Sequence, residues 1–250
     1  MPIANSAYRN EIKYSLSEIR AQAIHDRMRS FMKADKYGET YIVSSIYLDS
    51  PSLLLLNDAD VGKMNRHKIR LRTYGRSPDH RVFLEIKERR NRMIRKYRVA
   101  AQTDMLASVL ENHHYDREFL ANPENNDDWQ NMEFFMMRFR EIQARPISMV
   151  RYERSAYLGI FQPDFRITFD RNIVTYPVDG IGNGAWGTRN IERPLNHGQV
   201  VLEVKSGGQL PDWMTCIIKD FNLRQRSFSK YVLCTKQLQS EGAVIMESAL

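Results

Sequence analysis

The chain of 250 residues is 42% hydrophobic and 27% charged, with a net charge of +7 and a pI near 9.4. That balance excludes a disordered or collagen-like chain and describes an ordinary globular protein, long enough for one large domain or two small ones. The positive charge points to an anionic partner: nucleic acid, an acidic membrane, or a phosphorylated small molecule.

Cys216 and Cys234 lack the paired spacing of a zinc or disulfide framework, so reduced thiols in a reducing, cytoplasmic compartment are expected. No apolar run approaches the roughly 20 residues a membrane span requires. The N-terminus shows no hydrophobic signal region. There is no repeat of fixed period and no low-complexity linker.

In chain order, residues 8–14 (YRNEIKY) alternate and predict a strand. Ser15 or Ser17 then caps a helix expected to run to about Lys33, with Glu18 three residues after Ser15 as in a capping box. Residues 41–48 predict a second strand, and Asp49-Ser50-Pro51 starts a short helix through Leu53 to Asn57.

Residues 66–98 hold the most informative stretch. Lys68, Arg70 and Arg72 share one strand face, opposite Ile69 and Leu71. Phe83, Glu85, Lys87 and Arg89 share the next, opposite Val82, Leu84 and Ile86. Arg92, Ile94, Lys96 and Arg98 share a third. Turns are expected at Arg76-Ser77-Pro78-Asp79 and Arg89-Arg90-Asn91. Like charges opposite one another across strands are unfavourable unless something polyanionic lies against them.

Further on, helices are expected at Thr103 to His114 and Trp129 to Ile142, with a polar loop at Asn122 to Asp128 between them. Strands follow at residues 146–159, 164–174 and 199–205, and a helix at 211–220. Asp179 to Gly187 reads as a glycine-rich hairpin loop rather than a phosphate loop, because its glycines do not link a strand to a helix. Leu223 to Leu233 reads as extended or irregular, and the tail after Gln237 as frayed. Asp170 and Arg171 could pair with each other locally, and His113, His114 and Asp116 read as solvated at a helix end.

About eight strands, mostly antiparallel, thus carry ionic residues on one face and Val, Ile, Leu and Phe on the other. A polar inner face and an apolar outer face under amphipathic helices describe a barrel with a charged lumen. The expected class is α+β: an eight-stranded antiparallel β-barrel, helix-covered, forming one domain over residues 1–250 with its core at about 8–233.

The ordered motifs YRNEIKY, HKIRLRTYG, FLEIKER, RYERSAY, FRITFDRNI, VLEVKSGG and SFSKY resemble the polyphosphate polymerase (VTC) domain of the triphosphate tunnel metalloenzyme superfamily, most closely its free-standing bacterial branch. The resemblance implies a triphosphate tunnel whose basic residues bind a phosphate chain and whose acidic residues hold Mn²⁺ or Mg²⁺. By position it implies catalytic roles for Lys13, Arg70, Arg72, Lys87 and Lys230. It implies substrate contacts from Lys96, Arg154, Arg166 and Lys205, and metal binding at Glu203, with Glu11 and Glu85 as second choices. Many superfamily members begin Glu-x-Glu-x-Lys; here Arg9 replaces the first glutamate, which fits the polymerase branch better than the hydrolytic one. By parity Arg154 sides with Tyr152 and Ala156, although a bulge could turn Arg151 inward instead.

The implied reaction is metal-dependent transfer of ATP's γ-phosphate to orthophosphate or a polyphosphate end. The alternatives are a tri- or nucleoside triphosphatase of the same fold and a non-catalytic polyphosphate binder. Nucleic acid fits less well: the basic faces carry few aromatics to stack bases, Phe83 and Tyr74 being the main ones. Any membrane channel would be a separate chain.

Overall fold

The computed structural model describes residues 10–35, 40–75, 81–91, 93–178, 180–181, 192–195 and 199–244. Strand β1 (Asn10–Ser17) leads directly into helix α1 (Glu18–Met28). Ser17, not Ser15, is the cap: its hydroxyl accepts from the amide of Arg20. The helix ends at Met28 rather than near Lys33, because Met32–Ala34 form a short strand, β2. Next come β3 (Tyr41–Asp49) and α2 (Leu54–Asp60). The N-terminus of α2 is satisfied from upstream: Ser50 Oγ accepts from Leu54, and Asp49 accepts from Leu55 and Leu56, each at 2.8–2.9 Å.

The predicted meander is present as β4 (Asn65–Tyr74), β5 (Arg81–Arg90) and β6 (Met93–Gln102). The expected turn at residues 76–79 and the inner-face position Arg92 lie outside the described residues. Helix α3 (Leu106–Asn112) is shorter than expected and stops at His113, which takes a left-handed conformation. Helix α4 (Asn126–Glu141) begins inside the expected polar loop, because Asn125 caps it through the amides of Asp127 and Asp128. Strands β7 (Arg145–Gly159), β8 (Arg166–Pro177), the two-residue β9 (Arg193–Pro194) and β10 (Gln199–Ser206) follow, then α5 (Asp212–Asp220). Most of the glycine-rich stretch at 179–187 is not among the described residues. Residues 223–229 are extended as expected, but Lys230–Ser240 form a helix, α6, so Leu238 to Ser240 are helical in place of the expected frayed tail.

The main sheet path is β1-β10-β8-β7-β3-β4-β5-β6, antiparallel throughout, with β2 added to β7 and β9 to β8. No backbone ladder joins β1 to β6 among the described residues. The sheet curls until Glu11 of β1 meets Lys87 of β5 at 2.8 Å, so side chains close the seam. Outside the curl, α3 and α4 bury Ile69, Leu71, Leu84, Ile86 and Val99 against Phe135 and Met136. On the opposite flank α1 and α5 cover Leu202, Val204, Ile167 and Phe169. At about 25 cal/mol per Å² of apolar surface removed from water, these two clusters supply most of the driving force for curling.

The concave face is polar only in part. Its other part carries Val43, Val150, Tyr152, Ile173 and Val201, covered by Tyr231, Val232 and Cys234 of α6. The C-terminal helix therefore packs into the mouth of the curl rather than on its outside.

Candidate functional site

Register determines what meets in the lumen. On the β4–β5–β6 meander, Lys68, Lys87 and Lys96 stand directly opposite one another, and the adjacent rung is Arg70, Glu85 and Arg98. On the other wall Lys13 opposes Glu203, Glu11 opposes Lys205, Lys205 opposes Arg166, and Arg154 opposes Asp170. The side-chain period of two thus converts seven separate motifs into one ionic lining.

Glu85 lies at the centre of the cationic wall, fully buried at 0% exposure. Arg70 and Lys96 each approach it at 2.6 Å, Arg98 at 3.2 Å and Arg72 at 3.9 Å. Burial alone would raise its pKa; Lys96, Arg70, Arg72 and Arg98 outweigh burial and hold it well below the usual carboxylate range. Its contacts in the structure are those of a counter-charge that orients four cations. Arg70 also reaches the Tyr47 hydroxyl, and Arg72 donates to Ser45 Oγ at 3.1 Å and Tyr152 at 3.4 Å.

Across the lumen, Asp170 accepts two bonds from Arg154, at 2.6 and 2.8 Å, and one from Lys230 at 2.6 Å. It does not pair with Arg171, which turns outward to Glu18. Burial opposes its ionisation, but Arg154 and Lys230 overcome that and lower its pKa. Arg154 also sits 3.6 Å from Glu203. Arg154 therefore faces the lumen, whereas Arg151 lies over Tyr176 and donates to Ser44. A register shift between Arg151 and Glu153 occurs on this strand pair without turning Arg151 inward. Arg166 pairs with Asp35 at 2.8 Å and donates to Tyr41. Asp35, Tyr47, Tyr152, Asp170 and Arg98 were not among the expected site residues; Asp170 and Arg98 sit on faces already marked by Arg166 and Lys96.

The carboxylates at the seam are Glu11 and Glu203, diagonal neighbours close enough to share a hydrogen bond. Lys13 at 3.0 Å, Lys87 at 2.8 Å and Lys205 at 3.9 Å surround Glu11, and Lys205 approaches Glu203 at 3.1 Å. Burial pushes both carboxyls up, and Glu11 pushes Glu203 further; the lysines nevertheless keep both below the ordinary value. All-oxygen donors suit a hard divalent cation, which commonly takes one or two protein carboxylates and completes its shell with phosphates and water. The pair fits such an ion. Among the described residues, no group of three or more His, Cys, Asp or Glu side chains forms a denser site. Thr168, opposite Glu203, is buried with a hydroxyl that has no hydrogen-bond partner.

A cavity of about 410 Å³ opens at the seam end, lined by Glu11, Lys13, Lys68, Lys87 and the extended segment 225–229. That segment crosses it as a strap. The Arg226 amide donates to the Lys13 carbonyl at 2.9 Å, Lys13 Nζ donates to the Phe228 carbonyl at 3.0 Å, and Lys68 Nζ donates to Ser229 Oγ at 2.7 Å.

The model of one protein family, the VTC domain, matches residues 8–239. The chain belongs to the VTC domain family. Among solved structures this VTC domain is similar to a candidate adenylate cyclase from Bacillus halodurans, with a TM-score of 0.52 and 12% identity over 88% of this chain and 93% of that one. It is also similar to a candidate adenylate cyclase from Vibrio parahaemolyticus, with a TM-score of 0.50 and 14% identity over 94% and 99% of the two chains. At these identities the likeness is one of fold, the triphosphate tunnel. No curated protein sequence matches this VTC domain significantly. Family and lining together make it a tunnel protein that handles phosphate or triphosphate. Among the described residues, no helix is long and apolar enough to cross a membrane.

Proposed function

We propose that this VTC domain is a polyphosphate polymerase that transfers the γ-phosphate of ATP to orthophosphate or to the end of a growing chain. One observation carries this reading: three lysines, Lys68, Lys87 and Lys96, on a single rung beside an open cavity. Burial is the chief cause that sets all three below the ordinary lysine range, and neighbouring cations add to it: Lys13 and Lys87 for Lys68, Lys13 and Lys205 for Lys87, Arg98 and Arg70 for Lys96. Glu11 and Glu85 compensate Lys87 and Lys96 only singly, and a polyanion spanning the rung would relieve the repulsion that remains.

Arg70, Arg72 and Arg154 supply planar forks for phosphate oxygens, pre-set by Glu85 and Asp170. Lys13, Lys87, Lys96, Lys205, Arg166 and Lys230 neutralise the chain along its length. Glu203 and Glu11 would hold Mn²⁺ or Mg²⁺, which supplies charge neutralisation across the phosphate oxygens when bound. In this reading Glu85, already engaged by four cations, serves the arginines rather than the metal. The acceptor oxygen forms a bond to the γ-phosphorus while the bond to the β,γ-bridging oxygen breaks, and ADP departs with that oxygen. Phosphoryl transfer of this kind needs mainly alignment and charge stabilisation, so no covalent protein intermediate is required.

The test is product analysis after incubation with ATP and Mn²⁺. A ladder of phosphate polymers on a gel is expected. Orthophosphate as the sole product would make the protein a hydrolase, and tight tripolyphosphate binding without turnover would make it a binder.

A further inference from the structure

Lys68 lies within HKIRLRTYG but the resemblance gives it no role there, and with Lys13 and Lys87 it lines the seam-end cavity. Its neighbours Lys13, Arg70 and Lys87 all have carboxylate partners. Lys68 has none among the described residues, and its ammonium donates only to the neutral Ser229 hydroxyl at 2.7 Å. That same hydroxyl accepts from the Val232 amide and so caps α6. A half-buried cation faced by other cations and lacking a counter-charge is unfavourable in the anion-free protein.

We infer that Lys68, with Lys13, Lys87 and the strap residue Ser229, forms a separate inorganic-phosphate subsite at the seam-end mouth, for orthophosphate or the terminal phosphate of a polyphosphate chain. The ligand class follows from the contacts. Lysine ammoniums act as point charges toward a compact anion, where the arginine forks deeper in the lumen grip paired oxygens. The Ser229 hydroxyl, already accepting from Lys68 and the Val232 amide, has its O–H left to donate to a phosphate oxygen. The cavity of about 410 Å³ admits a terminal phosphate with its water. Burial, followed by Lys13 and Lys87, pushes the Lys68 pKa well down, and an arriving anion reverses that push. In the proposed reaction this is where the acceptor phosphate waits, so the assignment of its role rests on that reading; the binding itself does not.

The experiment measures orthophosphate and tripolyphosphate binding by calorimetry on the whole chain, without ATP or metal, for wild type, Lys68→Met and Lys68→Arg. Lys68→Met should raise Kd by about tenfold or more, the scale of one lost charge-assisted contact, while Lys68→Arg stays within about threefold of wild type. Because the methionine relieves repulsion, its melting temperature without anion should equal or exceed that of wild type, and the stabilisation by added phosphate should shrink. Weakening for both anions upholds a site for terminal phosphate from either source. Weakening for tripolyphosphate alone, or orthophosphate alone, upholds the site and names the source. Affinities within about twofold of wild type for both overturn it. If wild type makes no polymer yet Lys68→Met loses phosphate, the polymerase reading falls and the subsite stands. If polymer forms and Lys68→Met binds normally, the reverse holds.

Discussion

At the scale of single residues, Glu85 is the side chain whose loss should do most damage. It is wholly buried and sets one negative charge among four cations. Removing one partner of a buried ionic cluster typically costs about 3–5 kcal/mol, because the others stay charged and only partly hydrated. Glu85→Gln should therefore lose stability on that scale in urea unfolding at pH 7, and tripolyphosphate should recover part of it by replacing the missing negative charge. A loss under about 1 kcal/mol would mean that water already reaches these cations. Arg70, Arg72, Glu85 and Lys87 were readable in the sequence because a strand's side chains alternate strictly, so neighbours two apart must share a face. Asp170 was readable as a face but not as a partner. Its cations come from a neighbouring strand and from Lys230, 60 positions away, and local spacing carries no trace of that meeting.

At the scale of elements, α6 is the piece the sequence hid. Tyr231, Cys234, Thr235 and Leu238 are buried at helical spacing, but the threonine and the intervening Lys236 and Gln237 dilute the apolar stripe. The extended strap before it made the whole stretch read as irregular. Likewise α1 was read too long, since propensity cannot foresee that β2 would pair with β7. What seats α6 is Asp49, which receives amides from Ser50, Leu55 and Leu56 together with the Tyr231 hydroxyl. One carboxylate thus ties β3, α2 and α6 together. Burial raises the Asp49 pKa, and the bond from the Tyr231 hydroxyl is the largest effect opposing that rise. Tyr231→Phe keeps the ring stacked on Tyr47 at 4.6 Å but leaves Asp49 short of one donor. It should cost about 1–3 kcal/mol in equilibrium unfolding. A change below about 0.5 kcal/mol would show that α6 is held by its apolar contacts alone.

At the scale of the whole molecule, the polar-inside, apolar-outside parity was enough to predict a curled antiparallel sheet wrapped by helices. The seam was not legible, because the order of strands at the two edges depends on which ladder forms last. Nor was the apolar half of the concave face, since Val43, Val150 and Val201 look like any buried strand residues until α6 is placed on them. The summed charges make a pH prediction. Glu11, Glu85, Glu203 and Asp170 all have folded pKa values below their ordinary ones, so the stability they contribute is present above about 4.5 and lost as pH falls through the folded values. Lys68, Lys87 and Lys96 are also lowered, so the unfolded chain binds more protons than the folded one below the ordinary lysine value of 10.5. The anion-free protein should therefore gain stability as pH rises from neutrality, until first Cys234, raised above 9.0, and then Tyr41 and Tyr231, held above 10.0, begin to oppose it. Thermal melts across this range should show the rise, and saturating tripolyphosphate should flatten it. A flat profile without anion would mean that the lysine rung is fully hydrated.

The pairing of β1 with β10 joins Glu11 to Lys205 and Lys13 to Glu203, nearly two hundred positions apart. During synthesis the early strand emerges long before its partner, and the strap and α6 emerge later still. A nascent chain lacking residues beyond about 200 has both edges of the seam but no β10 to join β1 to β8, and no strap or α6, so β1 waits as an unpaired edge. The ionic lining is thereby completed last: Glu203, Lys205 and Lys230 join the cationic wall of β4–β6 only at the end of synthesis.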